Sequence, residues 1–71
     1  MEMRAVESST LAKIGYDANL KLLAVEFTNG SRYVYNNVPA EVYAELMASH
    51  SLGKYFEANI REAYKYTRVS D

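Results

Sequence analysis

The sequence has no cysteine, no tryptophan, one proline and three glycines in its 71 residues. Without cysteine the chain can form no disulfide framework and no thiol-based active site, and it lacks the usual ligand of structural zinc. Small secreted domains usually depend on disulfides, so this absence favours a cytoplasmic protein. The first residues lack the apolar core of a signal peptide, and the longest purely apolar run, Leu22–Val25, is far shorter than the ~20 residues of a transmembrane helix.

Charges of both signs are nearly balanced, with eight Lys and Arg against nine Asp and Glu and a net charge of −1. A strongly basic nucleic-acid-binding domain is therefore not expected. Hydrophobic residues make up 49% of the chain and seven residues are tyrosine, which is enough apolar surface for one small folded domain. Because the acidic residues are scattered and His50 is the single histidine, neither a metal site nor another cofactor is expected.

Alternation of apolar and polar residues predicts three strands in the first half of the chain. They cover residues 10–16, about 20–27, and 31–35. In the first strand, strict alternation places Leu11 and Ile14 on opposite faces. Residues 1–8 have weak periodicity and are expected to form a flexible lead-in.

The turn between the second and third strands decides how they pair. A two-residue turn would bring the two tyrosines of the third strand onto the face of Glu26. A three-residue loop, with Gly30 in the left-handed conformation, instead pairs Val25 with Tyr33 and Glu26 with Arg32. This register separates apolar from polar faces and places opposite charges across the strands, so we predict it.

The second half of the chain predicts two helices with apolar residues at a spacing of three and four. The first begins at Val38-Pro39, and the second is capped by Ser51 and continues to about Lys65. The tail, residues 67–71, carries no clear pattern. We therefore predict a single α+β domain over residues 1–71, a three-stranded antiparallel β-meander followed by two helices packed on one face.

An ordered series of short motifs runs through the chain. It comprises Val6-x-Ser8-Ser9, Ile14-Gly15-Tyr16-Asp17, Leu23-x-Val25-x-Phe27-x-x-Gly30, Tyr33-x-Tyr35, Val38-Pro39, Ser51-x-Gly53-x-Tyr55-Phe56 and Ile60-Arg61-x-x-Tyr64. The series resembles the KTSC domain, named after the C-terminus of some lysyl-tRNA synthetases and also found as a stand-alone bacterial or phage protein. The resemblance covers about residues 6–66.

The central Tyr-x-Tyr marker of that family stands here as Tyr33-Val34-Tyr35. The chain departs from the family pattern at Glu57, where asparagine often follows the Tyr-Phe pair. The resemblance implies no established activity, and the link to a synthetase implies RNA binding only by association.

Two tyrosines on one strand are the first candidate contact. Tyr33 and Tyr35 are spaced so that their rings can stack two unpaired bases. The alternative is that they pack beneath the helices with their hydroxyls at the rim, and the predicted register favours this packing.

Four basic residues are the second candidate contact, provided that the second helix continues to the end of the series. They are Lys54, Arg61, Lys65 and Arg68. On such a helix they form one stripe that can follow a phosphate backbone, and the neighbouring Tyr64 and Tyr66 can add stacking. The alternative is a solvated face, because Glu57 and Glu62 interleave. We take Tyr33, Tyr35, Arg61, Lys65 and Arg68 as the hypothetical nucleic-acid-binding set.

No catalytic residues are predicted, since a serine nucleophile needs a positioned base and His50 lies in a turn between the helices. The sequence therefore predicts a non-enzymatic binding module with RNA or another nucleic acid as partner. The alternative is a protein–protein interaction module or a homodimer that uses the exposed sheet face or an edge strand. No membrane partner is expected.

Overall fold

The computed structural model describes residues 2–69, which form one antiparallel sheet with two helices. The strands follow the order of the chain: β1 (Met3–Ala5), β2 (Leu11–Asp17), β3 (Leu22–Phe27), β4 (Arg32–Tyr35) and β5 (Tyr66–Val69). Helices α1 (Ala40–Ala48) and α2 (Leu52–Asn59) lie between β4 and β5 in sequence. The predicted α+β class is confirmed, but the sheet has five strands rather than three.

Both additional strands lie at the edges of the predicted meander. β1 falls within residues 1–8, so the predicted flexible lead-in is wrong where the strand forms, while Met1 lies outside the described residues. β5 occupies most of the tail for which no structure was predicted, and residues 70 and 71 again lie outside the description. A segment of three or four residues carries too little periodicity to be recognised, and becomes a strand by pairing with an existing edge.

The second helix is shorter than predicted, because it ends at Asn59 and not near Lys65. The next residue, Ile60, is fully buried in the core. The backbone amides of Ile60 and Arg61 both donate to the carbonyl of Phe56, at 3.0 and 2.9 Å, and the chain then turns back toward the sheet. Burial of Ile60 and pairing of β5 therefore override the helical pattern of residues 60–65.

The predicted hairpin register between β3 and β4 is confirmed. Val25 lies opposite Tyr33 and Glu26 opposite Arg32, and Gly30 has a φ of 93°. The Arg32 Nε atom donates to Glu26 Oε1 at 2.9 Å across the strands. The cap of α2 is also as predicted, since the Ser51 hydroxyl accepts the backbone N–H of Lys54.

A bulge in β2 corrects the predicted facing of Leu11. The register of β2 against β3 shifts between Leu11 and Lys13. Because one extra residue is inserted there, alternation restarts, and both Leu11 and Ile14 are fully buried. The prediction of opposite faces was therefore wrong.

The core lies between one face of the sheet, here called the inner face, and the two helices. Its buried members are Leu11, Ile14, Leu23, Val25, Tyr35, Val38, Leu46, Phe56 and Ile60. Both helices contribute to this cluster, so within residues 2–69 they lie on the inner face and leave the outer face uncovered. Neither described helix is long and apolar enough to span a bilayer.

Candidate nucleic-acid interface

Tyr35 forms the buried end of an aromatic row on the inner face. Its side chain is only 3% exposed, and its ring meets that of Phe56 edge to face, with centroids 5.4 Å apart. Burial, followed by the nearby Tyr66, raises the pKa of Tyr35 to about 12. The interpretation that this tyrosine packs beneath a helix is therefore supported, and its hydroxyl stays protonated at neutral pH.

Tyr33 lies further out on the same face and is half-buried. Its ring centroid lies 5.6 Å from that of Phe27 and 5.2 Å from that of Tyr66, and both pairs are edge to face. The residue directly opposite Tyr33 in β5 is Arg68. Tyr33 therefore packs on two rings while keeping part of its surface open to solvent.

Tyr66 is the most accessible ring of this row, with 53% of its surface exposed. It stands opposite Tyr35 in the β4–β5 ladder, and its centroid lies 5.3 Å from that of Tyr35. The sequence placed Tyr66 beside a helical basic stripe and not beside the Tyr-x-Tyr strand. Its true position depends on the formation of β5, and no local pattern indicates that strand.

These rings wall a cleft of about 510 Å³ on the inner face, which is within the size range of small-ligand sites. Its aromatic lining consists of Phe27, Tyr33, Tyr35 and Tyr66, and its charged lining of Glu57, Arg61 and Glu62. We call this cavity the aromatic cleft. Three of the five predicted site residues, Tyr33, Tyr35 and Arg61, line it together.

Arg61 lies in the turn after α2, where its side chain is 60% exposed. Its Nη1 atom donates to Glu57 Oε1 at 2.8 Å, across one turn of the chain. That hydrogen bond is the main cause of a raised pKa for Arg61. An exposed pair of this kind contributes little to stability, so the guanidinium can exchange its carboxylate for another anion.

The predicted helical stripe of four basic residues is wrong, because α2 ends before three of them. Lys54 lies in α2, Arg61 in the following turn, Lys65 just before β5, and Arg68 in β5. Arg68 shares the inner face with Tyr33, since the two residues are paired partners. Lys65 is exposed and is not among the residues that line the aromatic cleft.

A second, larger groove of about 1040 Å³ separates the β1–β2 loop from the start of α2. Its serines hold local backbone: the Ser8 hydroxyl accepts the amides of Thr10 and Leu11 at 3.1 and 3.2 Å. A Cβ on Gly53 would lie 3.1 Å from Thr10 Oγ1, so glycine permits this close approach.

Residues 2–69 contain no cluster of three acidic or histidine side chains able to hold a metal ion.

The fold and the cleft together define a small α+β domain with two helices on one face of an antiparallel sheet and an aromatic cavity beside them. Residues 7–64 match the KTSC domain. The chain therefore belongs to the KTSC domain family.

Relatives support this assignment over nearly the whole chain. An uncharacterized protein of Stutzerimonas stutzeri is 39% identical over 70 residues, which cover 97% of this chain and 99% of that protein. The crystal structure of a KTSC domain protein from Yersinia pestis superposes with a TM-score of 0.92 at 27% identity, covering 97% of both chains. A lysine–tRNA ligase of Nostoc punctiforme is 31% identical over 64 residues, which span 90% of this chain but 11% of the ligase.

Proposed function

We propose that this chain is a non-enzymatic module that binds single-stranded RNA, with an unpaired base in the aromatic cleft and the adjoining phosphate at Arg61. The observation that carries the proposal is the cleft itself, in which the exposed ring of Tyr66, the half-open ring of Tyr33 and one guanidinium line the same cavity. Aromatic faces that stack bases, next to a cation that meets the backbone, are the two parts of a single-strand binding site.

Each residue of the cleft has a distinct part in this proposal. Tyr66 offers the accessible face for stacking, and Tyr33 supports it from the neighbouring strand. Tyr35 forms the floor, and its protonated hydroxyl can donate a hydrogen bond to a base carbonyl. Arg68, beside Tyr33 on the same sheet face, supplies a further positive charge.

Glu57 limits the affinity that the cleft can reach. It holds Arg61 in an ion pair, and Glu62 adds a second negative charge to the lining. A phosphate competes with the Glu57 carboxylate for the guanidinium, which is 60% exposed. We therefore expect weak binding that falls with salt by about 0.7 powers of salt concentration per phosphate contacted on a single strand.

The relationship to a lysine–tRNA ligase segment favours RNA over DNA as the ligand, because that relative acts on an RNA. A cytoplasmic location is part of the proposal, since RNA is found there and the chain has no cysteine. Both statements depend on RNA binding, and the preference for RNA is tested by the DNA control below.

The test is an NMR titration of ¹⁵N-labelled protein with a short single-stranded RNA at low and at moderate salt. We expect salt-sensitive shifts at Tyr33, Arg61 and Tyr66. Absence of shifts at low salt, or shifts confined to the outer face, would contradict the proposal. DNA of the same base sequence and the duplex form of the RNA serve as ligand controls.

A further inference from the structure

The two edges of the sheet differ in what they expose. β1 is three residues long, and Met3 at its start is half-buried. β5 is four residues long, and all four are exposed. Among residues 2–69, the exposed large hydrophobic side chains are Leu20, Tyr66 and Val69, at 65%, 53% and 41% exposure, and two of these three belong to β5.

An exposed edge strand also presents unpaired backbone N–H and C=O groups. Within the described part of the chain, β5 pairs only with β4 and forms the end of the sheet. Natural sheets protect such edges with proline, bulges, charged side chains or very short strands. β5 is short and carries one charge, at Arg68, but it contains no proline, and its register with β4 runs without a shift from Arg32–Val69 to Tyr35–Tyr66.

We propose that β5 pairs antiparallel with β5 of a second copy of this chain, so that two five-stranded sheets become one. The side-chain pattern of β5 is what selects a second copy. Tyr66 and Arg68 point to the inner face, opposite Tyr35 and Tyr33, and Thr67 and Val69 point to the outer face.

Symmetry and this alternation allow four registers, centred on Tyr66, Thr67, Arg68 or Val69. Centring on Arg68 places two arginines directly opposite each other, which is destabilising. Centring on Tyr66 or on Val69 leaves most of β5 without a β5 partner. Centring on Thr67 pairs residues 66–68 of both copies and places each Tyr66 opposite the partner's Arg68.

The register centred on Thr67 is therefore chemically complementary. An arginine beside the face of a tyrosine ring forms a cation–π contact, and the two-fold axis produces this contact twice. The two Thr67 side chains meet on the outer face, where threonine pairs are favourable. In addition, and resting on the proposed RNA binding, the partner's Arg68 adds a cation next to the most exposed ring of each aromatic cleft.

The small contact area indicates that the two copies associate with low affinity. One strand of four residues buries far less than the about 1,600 Å² of a standard stable interface, so the dimer forms and dissociates readily. We expect a mass that rises with concentration from the 8.1 kDa of one chain toward twice that value.

Sedimentation equilibrium of the full chain from about 10 μM to about 1 mM tests the pairing, because this range covers weak association. The variants are Thr67→Lys and Thr67→Glu, which place like charges at the two-fold axis. Each alone is expected to stay monomeric, and an equimolar mixture is expected to form a mixed dimer through the Lys–Glu pair, detected by native mass spectrometry.

The matched control is Ala5→Lys, an exposed residue in the opposite edge strand. It is expected to dimerise like the unmodified chain, and ¹⁵N spectra check that all variants fold. A chain that stays monomeric up to the highest concentration, a Thr67→Lys variant that still dimerises, or loss of dimer only in Ala5→Lys would each overturn the proposal. Repeating the RNA titration on monomeric Thr67→Lys separates failure of the dimer from failure of RNA binding.

Discussion

Tyr35 and Tyr66 stand directly opposite each other on one face of one sheet, yet they have very different surroundings. Tyr35 is 3% exposed beneath Phe56, whereas Tyr66 is 53% exposed. The helix α2 ends at Asn59, and its Phe56 packs on Tyr35 of β4, whereas all four residues of the edge strand β5 are exposed. The same aromatic surface therefore belongs to the core at Tyr35, its covered end, and is accessible to solvent at Tyr66, its open end.

The largest expected effect on stability comes from a substitution at the covered end of the aromatic row. Phe56→Ala removes a fully buried ring that packs on Phe27 and Tyr35. We expect a loss of about 3–5 kcal/mol in the free energy of unfolding. This is a large part of the total free energy of unfolding of so small a domain. Urea denaturation followed by circular dichroism measures it. Phe56→Leu is the control and should cost clearly less, and equal losses would mean that ring packing is not what matters there.

Tyr66→Ala tests whether the open end contributes to RNA affinity more than to stability. Because this ring is half-exposed, we expect a stability loss of only about 1 kcal/mol, from its aromatic contacts. RNA affinity should fall by about tenfold or more, because one stacked base is lost. Fluorescence anisotropy of a labelled RNA gives the affinity. The matched control is Leu20→Ala, which removes another exposed apolar side chain; a similar loss there would argue against a specific stacking site.

Removing the ion-pair partner of Arg61 tests how far the charge of Arg61 contributes to RNA affinity. Glu57→Asn removes the carboxylate that holds the guanidinium at 2.8 Å. We expect RNA to bind a few-fold more tightly, while Arg61→Gln should weaken binding and lower the salt slope by about 0.7.

The control for Arg61→Gln is Lys13→Gln, which removes the same charge from an exposed position on the outer face. Binding by Lys13→Gln should match that of the unmodified chain. If both cation variants weaken binding equally, RNA responds to net charge and not to the aromatic cleft.

A pH dependence of stability is also expected at the covered end. Folding raises the pKa of Tyr35 from 10.0 to about 12, mainly through burial. The neutral hydroxyl is thus favoured in the folded state, so its contribution is complete below pH 10 and disappears as the pH rises toward 12. Urea midpoints measured across this window should fall less steeply for Tyr35→Phe. Tyr55→Phe is needed as a parallel variant, because a hydrogen bond to Glu45 also raises the pKa of Tyr55 to about 12.

The central hairpin was predictable because its constraints are local and agree with one another. Gly30, the alternation of β3 and the Glu26–Arg32 pair all select one register, and the structure has that register. Leu11 was misplaced because a bulge leaves no trace in simple alternation.

The edges of the sheet and the end of α2 were not predictable in this way. β1 and β5 form only because an existing strand offers unpaired backbone groups, and α2 stops because Ile60 enters the core. The candidate site shares this limit. Sequence reasoning found Tyr33, Tyr35 and Arg61, but Tyr66 joins them through β5, and the helical stripe was lost for the same reason.

RNA binding in the aromatic cleft is tested most directly by finding whether a base lies on the open end of the aromatic row. With tyrosine rings ¹³C-labelled and a short single-stranded RNA bound, intermolecular NOEs report which rings contact base protons. If RNA binds in the aromatic cleft, we expect NOEs to Tyr66 and Tyr33. RNA-induced shifts without NOEs to either ring, or NOEs only to a distant ring such as Tyr43, would contradict it.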